Sequence, residues 1–349
     1  MSPVIRILSG GAILLGLLAR PAAAETVNLM SFPVLFQERY TKAVIAPFEK
    51  ANPGIKVSYF GLPSSAQMLG TLRAQKAAPQ IDVVIMDLAV SKAGTDEGLL
   101  AKLDEAEIPN MKDLVPEARR PELAGVGVTF DNLVLLTNTD LVKERSDSWY
   151  ALRDKAYAGR VAIPAIPDIV GLALTVILDK AEGGQDPLKT VDKGIAALGT
   201  IAPNVQTWDP RPEVYAPIVS GQAAIGAGWN ARAQLNHDIS GGKLAAVLPK
   251  EGSVFQANTI NLTANSPNAA AAKKFIDYAL SAEAQKAFTE AMFYVPSNAK
   301  ARAAVSPEAI DRTALKHTDR MIPLDWIAMA GRRDAILEQW RRRVIPLSR

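Results

Sequence analysis

Hydrophobic residues in the first part of the chain alternate between the spacing of strands and that of helices. Residues 26–31 and 55–59 have strand patterns, and between them apolar residues recur every four positions from Phe36 to Phe48. After a second helical segment, residues 81–86 form the continuous apolar run that is typical of a strand buried on both faces. Strands and helices in this order predict an open α/β sheet.

The residues that follow these strands are the first candidates for a binding site. Ligands of open α/β sheets lie beyond the carboxyl ends of the strands. Phe32 follows the first strand, residues 61–65 follow the second, and Asp87 follows the third. Phe32 is a candidate aromatic wall for a ligand, although packing beneath a loop is the commoner role of such a residue.

The pattern restarts after a strand at residues 132–139, so a second α/β unit is expected. A short strand at residues 161–164 precedes a helix that starts at Asp168, and a later strand of small residues ends on Trp229 and Asn230. That second unit has its own strand ends, and Asp168, Trp229 and Asn230 are its candidate binding residues.

A return segment at residues 254–262 carries Gln256 and Asn258 and leads out of the second unit. If it re-enters the first unit, it forms a second crossing beside residues 132–139. Two lobes joined by two crossings form a cleft that can close. We therefore predict a two-lobed α/β fold, with the ligand cleft between the lobes and with Gln256 and Asn258 beside it.

The predicted boundaries follow from these crossings and from the N-terminal segment. We assign residues 1–24 to a signal peptide, 25–131 plus 262–300 to a first lobe, 138–254 plus 301–349 to a second lobe, and 132–137 and 255–261 to hinge strands.

The N-terminal segment predicts export. It starts with Arg6, continues as an apolar run over residues 7–19 and ends in the small residues 22–24, which is typical of a Sec signal peptide. The run is shorter than the roughly 20 residues that span a bilayer. The remaining chain is longer than the roughly 250–300 residues at which single cores stop growing, so two lobes are expected. We expect a periplasmic protein.

Charge and cysteine content narrow the possible partners. Two of the 39 Lys and Arg residues, Arg6 and Arg20, lie in the predicted signal, so the rest of the chain nearly balances its 36 acidic residues. That balance argues against nucleic acid as the main partner. With no cysteine, the chain has no disulfide framework and no thiol nucleophile.

Signatures of catalysis and of metal binding are absent from the sequence. It has two histidines, His237 and His317, each among polar residues, and it lacks a GxSxG elbow, an HExxH pair and a P-loop. Its carboxylates do not cluster with histidine. We predict no enzyme activity, no cofactor and no metal site; a ferric-ion carrier or a periplasmic enzyme is the alternative from another class.

Two features point to binding instead. Trp229 follows Gly226 and Gly228, and glycines inside a strand mark a close approach by a ligand or by another segment of the protein. Tight packing with Trp229 in the core explains the same residues equally well. Arg211 precedes Pro212 at a predicted helix start, where its guanidinium can bind a carboxylate, although exposure to solvent is the commoner outcome.

Several segments resemble periplasmic substrate-binding proteins of ABC importers, in particular the spermidine/putrescine-binding branch. The resemblance is strongest in GAGWNARAQ, LPKEGSVFQAN, AAAKKFIDYALSAEAQKAF and FYVPSNAKARAAVSPEA. It implies a periplasmic binding protein fold and delivery of a solute to an inner-membrane ABC permease. It also implies that Trp229 stacks on the ligand, that Tyr294 is a second aromatic or hydroxyl donor, and that Phe32 stands where that branch has tryptophan.

The departures from that branch bear on the solute. Asn258 stands where the resemblance implies an aspartate, and Gln256 stands where it implies a tryptophan. The resemblance also implies a pair of acids after residues 161–164, and only Asp168 is present there. A buried ammonium without a carboxylate costs several kcal/mol. Asp87 and Asp168 can pair with an ammonium group of the solute, and Arg211 can pair with its carboxylate. We therefore predict a monomeric receptor for an amino acid, an ω-amino acid or a related zwitterion. A polyamine is the alternative solute.

Overall fold

A computed structural model of the chain describes residues 24–348, and strands and helices alternate through most of them. The strands are β1 (Glu25–Ser31), β2 (Ile55–Gly61), β3 (Val83–Asp87), β4 (Leu100–Ala101), β5 (Val126–Asn138), β6 (Val161–Ala162), β7 (Val205–Thr207), β8 (Ile225–Trp229), β9 (Leu244–Val247), β10 (Phe255–Thr263) and β11 (Val295–Pro296). The predicted signal peptide lies outside the described residues except for Ala24.

The α-helices pack around these strands. They are α1 (Leu35–Tyr40), α2 (Ala46–Ala51), α3 (Ser65–Ala74), α4 (Leu88–Asp96), α5 (Ile169–Ala181), α6 (Asp192–Ile201), α7 (Tyr215–Val219), α8 (Asn230–Ile239), α9 (Ala269–Ala279), α10 (Ala282–Met292), α11 (Ala299–Ala304), α12 (Pro307–Asp311), α13 (Trp326–Ala330) and α14 (Arg333–Arg343). A π-helical turn, Thr41–Ile45, joins α1 to α2, so the predicted first helix is continuous.

The first lobe is built on a mixed sheet. Strands β2, β1 and β3 are parallel neighbours, and β10 runs antiparallel beside β3. Strand β3 has the sequence VVIMD, and its first four residues are buried, as its continuous apolar run predicts. The carboxyl ends of β1 and β3 therefore lie at one edge of the sheet, where Phe32 follows β1 and Asp87 ends β3.

The second lobe repeats this arrangement around β8. Strands β6 and β7 run parallel to each other and β6 runs parallel to β8, while β8 and β9 each pair antiparallel with β5. Strand β8 ends on Trp229, and α8 starts at the next residue. The predicted two-lobed α/β architecture is confirmed.

Strand β5 connects the two sheets. Its residues 126–132 pair with β10, and residues 133–137 pair with β8. The change of partner falls between Asn132 and Leu133, inside one continuous strand. This position agrees with a crossing near residue 132, and the remaining domain boundaries stay predictions.

Side chains with oxygen acceptors precede the helices α3 and α5. The Ser64 hydroxyl accepts the Gln67 N–H at the start of α3, and the Asp168 carboxylate accepts the Val170 N–H at the start of α5. Each acceptor satisfies a backbone donor that the helix itself leaves free.

The predicted helix start at Arg211 is wrong. Residues 210–214 form a loop, and α7 begins at Tyr215. Val214 at the end of this loop is buried in the second lobe with Ile218 and Ala223. Packing of Val214 ahead of the helix outweighs the local start signal of Pro212.

The two glycines of β8 serve packing within the second lobe. A Cβ atom at Gly226 would lie 2.4 Å from the Ala162 carbonyl oxygen, and one at Gly228 would lie 2.9 Å from Leu136 Cδ1. Neighbouring strand backbone and core side chains occupy that space. The close approach predicted from the glycines is therefore made by protein atoms, while the Trp229 side chain remains half-buried.

We expect Gly226→Ala to lower the free energy of unfolding by about 1–3 kcal/mol, because the added methyl group forces β8 away from β6. Gly70→Ala is the matched control: Gly70 lies inside α3, where an added Cβ would meet nothing within 4 Å, and alanine there should stabilise the helix by about 0.5–1 kcal/mol. Urea unfolding measures both. A Gly226→Ala protein as stable as the parent would contradict the packing role.

Candidate functional site

The end of β3 and the neighbouring strand β10 bring polar side chains together. Asp87 ends β3, Gln256 and Asn258 lie on β10, and the register of the sheet sets Asn258 opposite Asp87. The Gln256 Nε2 donates to Asp87 Oδ1, and it also lies 3.4 Å from Asn258 Oδ1. The Asn258 Nδ2 donates to Thr129 Oγ1 at 3.1 Å. The predicted residues Asp87, Gln256 and Asn258 thus form one hydrogen-bonded group.

Asp131 joins this group, although the sequence patterns did not single it out. It lies on β5 directly opposite Gln256 and is 3% exposed. Its carboxylate accepts the N–H of Asn132 at 2.9 Å and the N–H of Ala231 at 3.1 Å. Burial raises the pKa of Asp131 to about 7, although these N–H groups and the charge of Arg232 act in the opposite direction.

Asp168 contributes an acid from the second lobe. Its carboxylate caps α5 through the Val170 N–H at 2.8 Å. Desolvation by the surrounding protein raises the pKa of Asp168, and the nearby charge of Asp209 acts in the same direction. Burial also raises the pKa of Asp87, and the charge of Asp168 raises it further. Acids from the two lobes therefore interact with each other.

Arg232 supplies the positive charge of this group, and it too was absent from the residues predicted from the sequence. Its side chain is 25% exposed and forms an ion pair with Glu213, which precedes α7. The charge of Arg232 lowers the pKa of Asp87, Asp131 and Asp168 against the opposing effect of burial. One guanidinium thus lies within electrostatic range of all three acids.

The charges of this group do not cancel. We call three residues the acidic group: Asp87, Asp131 and Asp168. The positive charge near them is that of Arg232, which is also paired with Glu213, and the pKa values of all three acids remain raised. A raised carboxyl pKa means that ionisation is penalised in the folded protein. A cation bound among these acids would remove part of that penalty.

Trp229 is held by its backbone at the edge of this group. The Tyr215 hydroxyl donates to the Trp229 carbonyl oxygen at 2.9 Å and accepts the Trp229 N–H at 2.9 Å. The Trp229 side chain is half-buried and packs on the edge of the core. Its backbone is fixed while part of its ring faces solvent.

Two predicted aromatic residues lie in the first lobe, and one of them, Tyr294, is near the acids. Tyr294 is buried and stacks on Phe288, with ring centroids 5.7 Å apart. Burial raises the pKa of Tyr294, and the charge of Asp131 raises it further, so its hydroxyl group is near that acid and neutral at physiological pH. Phe32 packs edge-on against Phe36 at 5.7 Å and is half-buried.

Of the predicted residues, Arg211 lies apart from the acids, and the side chain of Asn230 is hydrogen-bonded to other parts of the protein. Arg211 is 78% exposed and its guanidinium donates to Asp209 at 2.9 Å. The Asn230 amide donates to the Arg312 carbonyl oxygen at 2.8 Å and accepts from Gln234 at 3.0 Å, so both ends are satisfied within the protein. The structure brings Arg232, not Arg211, into range of the acidic group.

A cavity lies apart from the acidic group within residues 24–348. This cavity of about 300 Å³ lies beside Glu290 and Phe293, but Glu290 is already paired with Lys286 and with the Ser306 N–H. Within the described residues there is no group of three or more His, Cys, Asp or Glu side chains that could hold a metal ion. In that same range, no helix is long and apolar enough to cross a membrane.

Residues 43–317 match the family model of the bacterial extracellular solute-binding protein. The chain belongs to this family. An ABC transporter substrate-binding protein from Bradyrhizobium japonicum superposes with a TM-score of 0.77 at 22% identity, covering 91% of this chain and 99% of that one. The family resemblance noted in the sequence is confirmed, and members of the family bind solutes.

Two curated relatives differ in the solute that their names give. The spermidine/putrescine-binding periplasmic protein of Escherichia coli is 25% identical over 346 residues, 97% of either chain. The γ-aminobutyric acid-binding protein of Pseudomonas aeruginosa is 25% identical over 302 residues, 84% of this chain and 82% of that protein. Both an ω-amino acid and polyamines therefore occur among the solutes of relatives.

The sequence held signals for both missed residues. Asp131 is an acid inside the apolar strand VTFDNLVLLTN, and an acid buried in a strand needs a partner. The predicted strand began at Asn132 and so excluded Asp131. Arg232 lies in the first turn of α8, where the helix dipole disfavours a cation. A residue that breaks a local rule is a pointer to function.

Tyr215→Phe should lower the free energy of unfolding by about 1–3 kcal/mol, because it leaves two backbone groups of Trp229 without their hydroxyl partner. The control is Tyr278→Phe: Tyr278 is half-buried, and its hydroxyl makes no hydrogen bond with any residue of 24–348. Urea unfolding followed by tryptophan fluorescence compares them. Equal stability of the two variants would rule out a supporting role of the hydroxyl.

Proposed function

We propose that this protein is a receptor for a small solute that carries an ammonium group. The supporting observation is the acidic group: burial raises the pKa of Asp87 in the first lobe, and the charge of Asp168 in the second lobe raises it further. Two carboxylates that repel each other across a cleft gain most from a cation between them. An ammonium in that position would also hold the two lobes together.

The solute that we favour is a zwitterion of the ω-amino acid type. Arg232 replaces Arg211 in our assignment of the partner for the solute carboxylate, because a guanidinium binds a carboxylate through paired hydrogen bonds. Binding would exchange Glu213 for the solute as a partner of Arg232. The Trp229 ring would cover the methylene chain, with Phe32 and Tyr294 on the side of the first lobe. The γ-aminobutyric acid-binding relative supports this class of solute.

A polyamine is the second candidate, and a specific observation favours it. Asp131 adds a buried carboxylate one strand away from Asn258, the position where the sequence resemblance implied an acid. The acidic group therefore holds more negative charge than one ammonium requires. The spermidine/putrescine-binding relatives support this alternative.

In the cell we expect the protein in the periplasm, where it would pass its solute to an inner-membrane ABC permease without chemistry of its own. The relatives' names and the predicted signal peptide support this location. We expect it to act as a monomer and without nucleic acid.

γ-Aminobutyric acid and putrescine form a matched pair of probes, since both have four carbons and differ at one end. Titration calorimetry of the wild-type protein should detect γ-aminobutyric acid. Arg232→Gln should weaken that affinity about 10- to 100-fold, because a charge-assisted hydrogen bond contributes about 1.5–3 kcal/mol. Asp87→Asn should weaken binding of either probe.

Arg211→Gln is the control and should leave the affinity unchanged, since Arg211 pairs with the exposed Asp209. Putrescine binding that is tighter than that of γ-aminobutyric acid, and that survives or improves in Arg232→Gln, would select the polyamine. Failure of a broad panel of amino acids, ω-amino acids and polyamines to bind would overturn the receptor proposal for amine solutes.

A further inference from the structure

Asp131 occupies the point where β5 passes from one lobe to the other. It pairs with Gln256 in the first-lobe sheet, and two positions later Leu133 pairs with Trp229 in the second-lobe sheet. Both oxygens of its carboxylate accept the N–H of Ala231, at 3.1 and 3.3 Å. A side chain on the crossing strand is thereby bonded to a helix of the second lobe.

Helix α8, whose Ala231 N–H donates to Asp131, lies next to the second-lobe residues that we assign to the solute. Trp229 directly precedes α8, and Arg232 lies in its first turn next to Ala231. The first N–H groups of a helix have no partner within the helix, and a negative charge there is favourable. Trp229 supplies no side-chain cap to α8, so Asp131 acts as a cap from another element.

A direct contact between Asp131 and a solute fits the geometry less well. The residue is 3% exposed, and its carboxylate oxygens already accept backbone N–H groups of Asn132 and Ala231. Asp87, by contrast, is half-buried, and Asp168 is exposed to solvent. Asp131 is therefore better suited to position other groups than to bind the solute.

We propose that Asp131 is a positioning residue that fastens the N-terminus of α8 to the crossing strand and thereby sets Trp229 and Arg232 for the solute. The inference rests on the proposed function for its effect on affinity, while the attachment of α8 itself does not depend on any ligand.

Protonation should loosen this attachment near neutral pH. Burial raises the pKa of Asp131 to about 7. The groups that face it are Arg232 and the first N–H groups of α8, Tyr215 of α7, Tyr294 and, across the strand, Gln256. Burial raises the pKa of both tyrosines, so they stay neutral while Asp131 titrates. The ionised form accepts the N–H groups best, so affinity should rise with pH through this range.

The first experiment uses the ligand-free protein. Asp131→Asn keeps the size of the side chain and one acceptor but removes the charge. Hydrogen exchange of the backbone amides of residues 229–235 should be faster in Asp131→Asn than in the wild type at pH 8, with Ala231 most affected. Amides of α6, a second-lobe helix that packs on α5 and α14, are the internal control and should not change. Equal exchange in residues 229–235 would overturn the positioning role whether or not any solute binds.

The second experiment measures the dissociation constants of γ-aminobutyric acid and putrescine by calorimetry at pH 6, 7 and 8. For a group with a pKa of about 7, the ionised fraction rises about tenfold from pH 6 to pH 8, so wild-type affinity should rise by up to about tenfold more than that of Asp131→Asn. Any pH dependence of affinity that comes from Asp87 and Asp168 is present in both proteins, so the comparison of the two cancels it.

Identical pH profiles of wild-type and Asp131→Asn affinity would overturn the proposal, since a merely structural loss would weaken binding equally at every pH. If neither probe binds the wild-type protein while exchange of α8 is faster in the variant, the attachment of α8 stands and the proposed solute is what fails.

Discussion

One strand that belongs to two sheets is the constraint on which the rest of this structure depends. Strand β5 pairs with β10 up to Asn132 and with β8 from Leu133 onward, without a break. The carboxyl end of β3 and that of β8 are therefore brought toward the same stretch of β5. The acids, Trp229 and Arg232 lie on these strands or on helices that adjoin them, so the geometry of β5 sets their distances.

Ionisation of the acids beside β5 costs free energy in the ligand-free protein. Burial raises the pKa of Asp87 and of Asp131, and Arg232 offsets part of this cost. Strongly perturbed pKa values cluster at functional sites in proteins. The surplus of negative charge is thus consistent with a site that is completed by a cationic group of the solute.

The second lobe fixes its aromatic residue through the backbone. Tyr215 bonds both polar backbone groups of Trp229, and the glycines of β8 let core side chains close around the strand. Both polar backbone groups of Trp229 are hydrogen-bonded, whereas its side chain stays half-buried. Rigid support of a partly exposed aromatic is the arrangement that a stacking surface requires.

Local patterns were enough to predict the α/β class, the two units, the strand ends at Asp87 and Trp229, and the helix that starts near Asp168, because these depend on periodicity along the chain. Which charged side chains lie close together is seen only in the folded structure. Asp131 and Arg232 are far apart in the sequence and become neighbours because β5 pairs with β8, while Arg211 is left exposed beside Asp209. Pairing between distant strands is set by the packing of whole sheets, which local patterns do not encode.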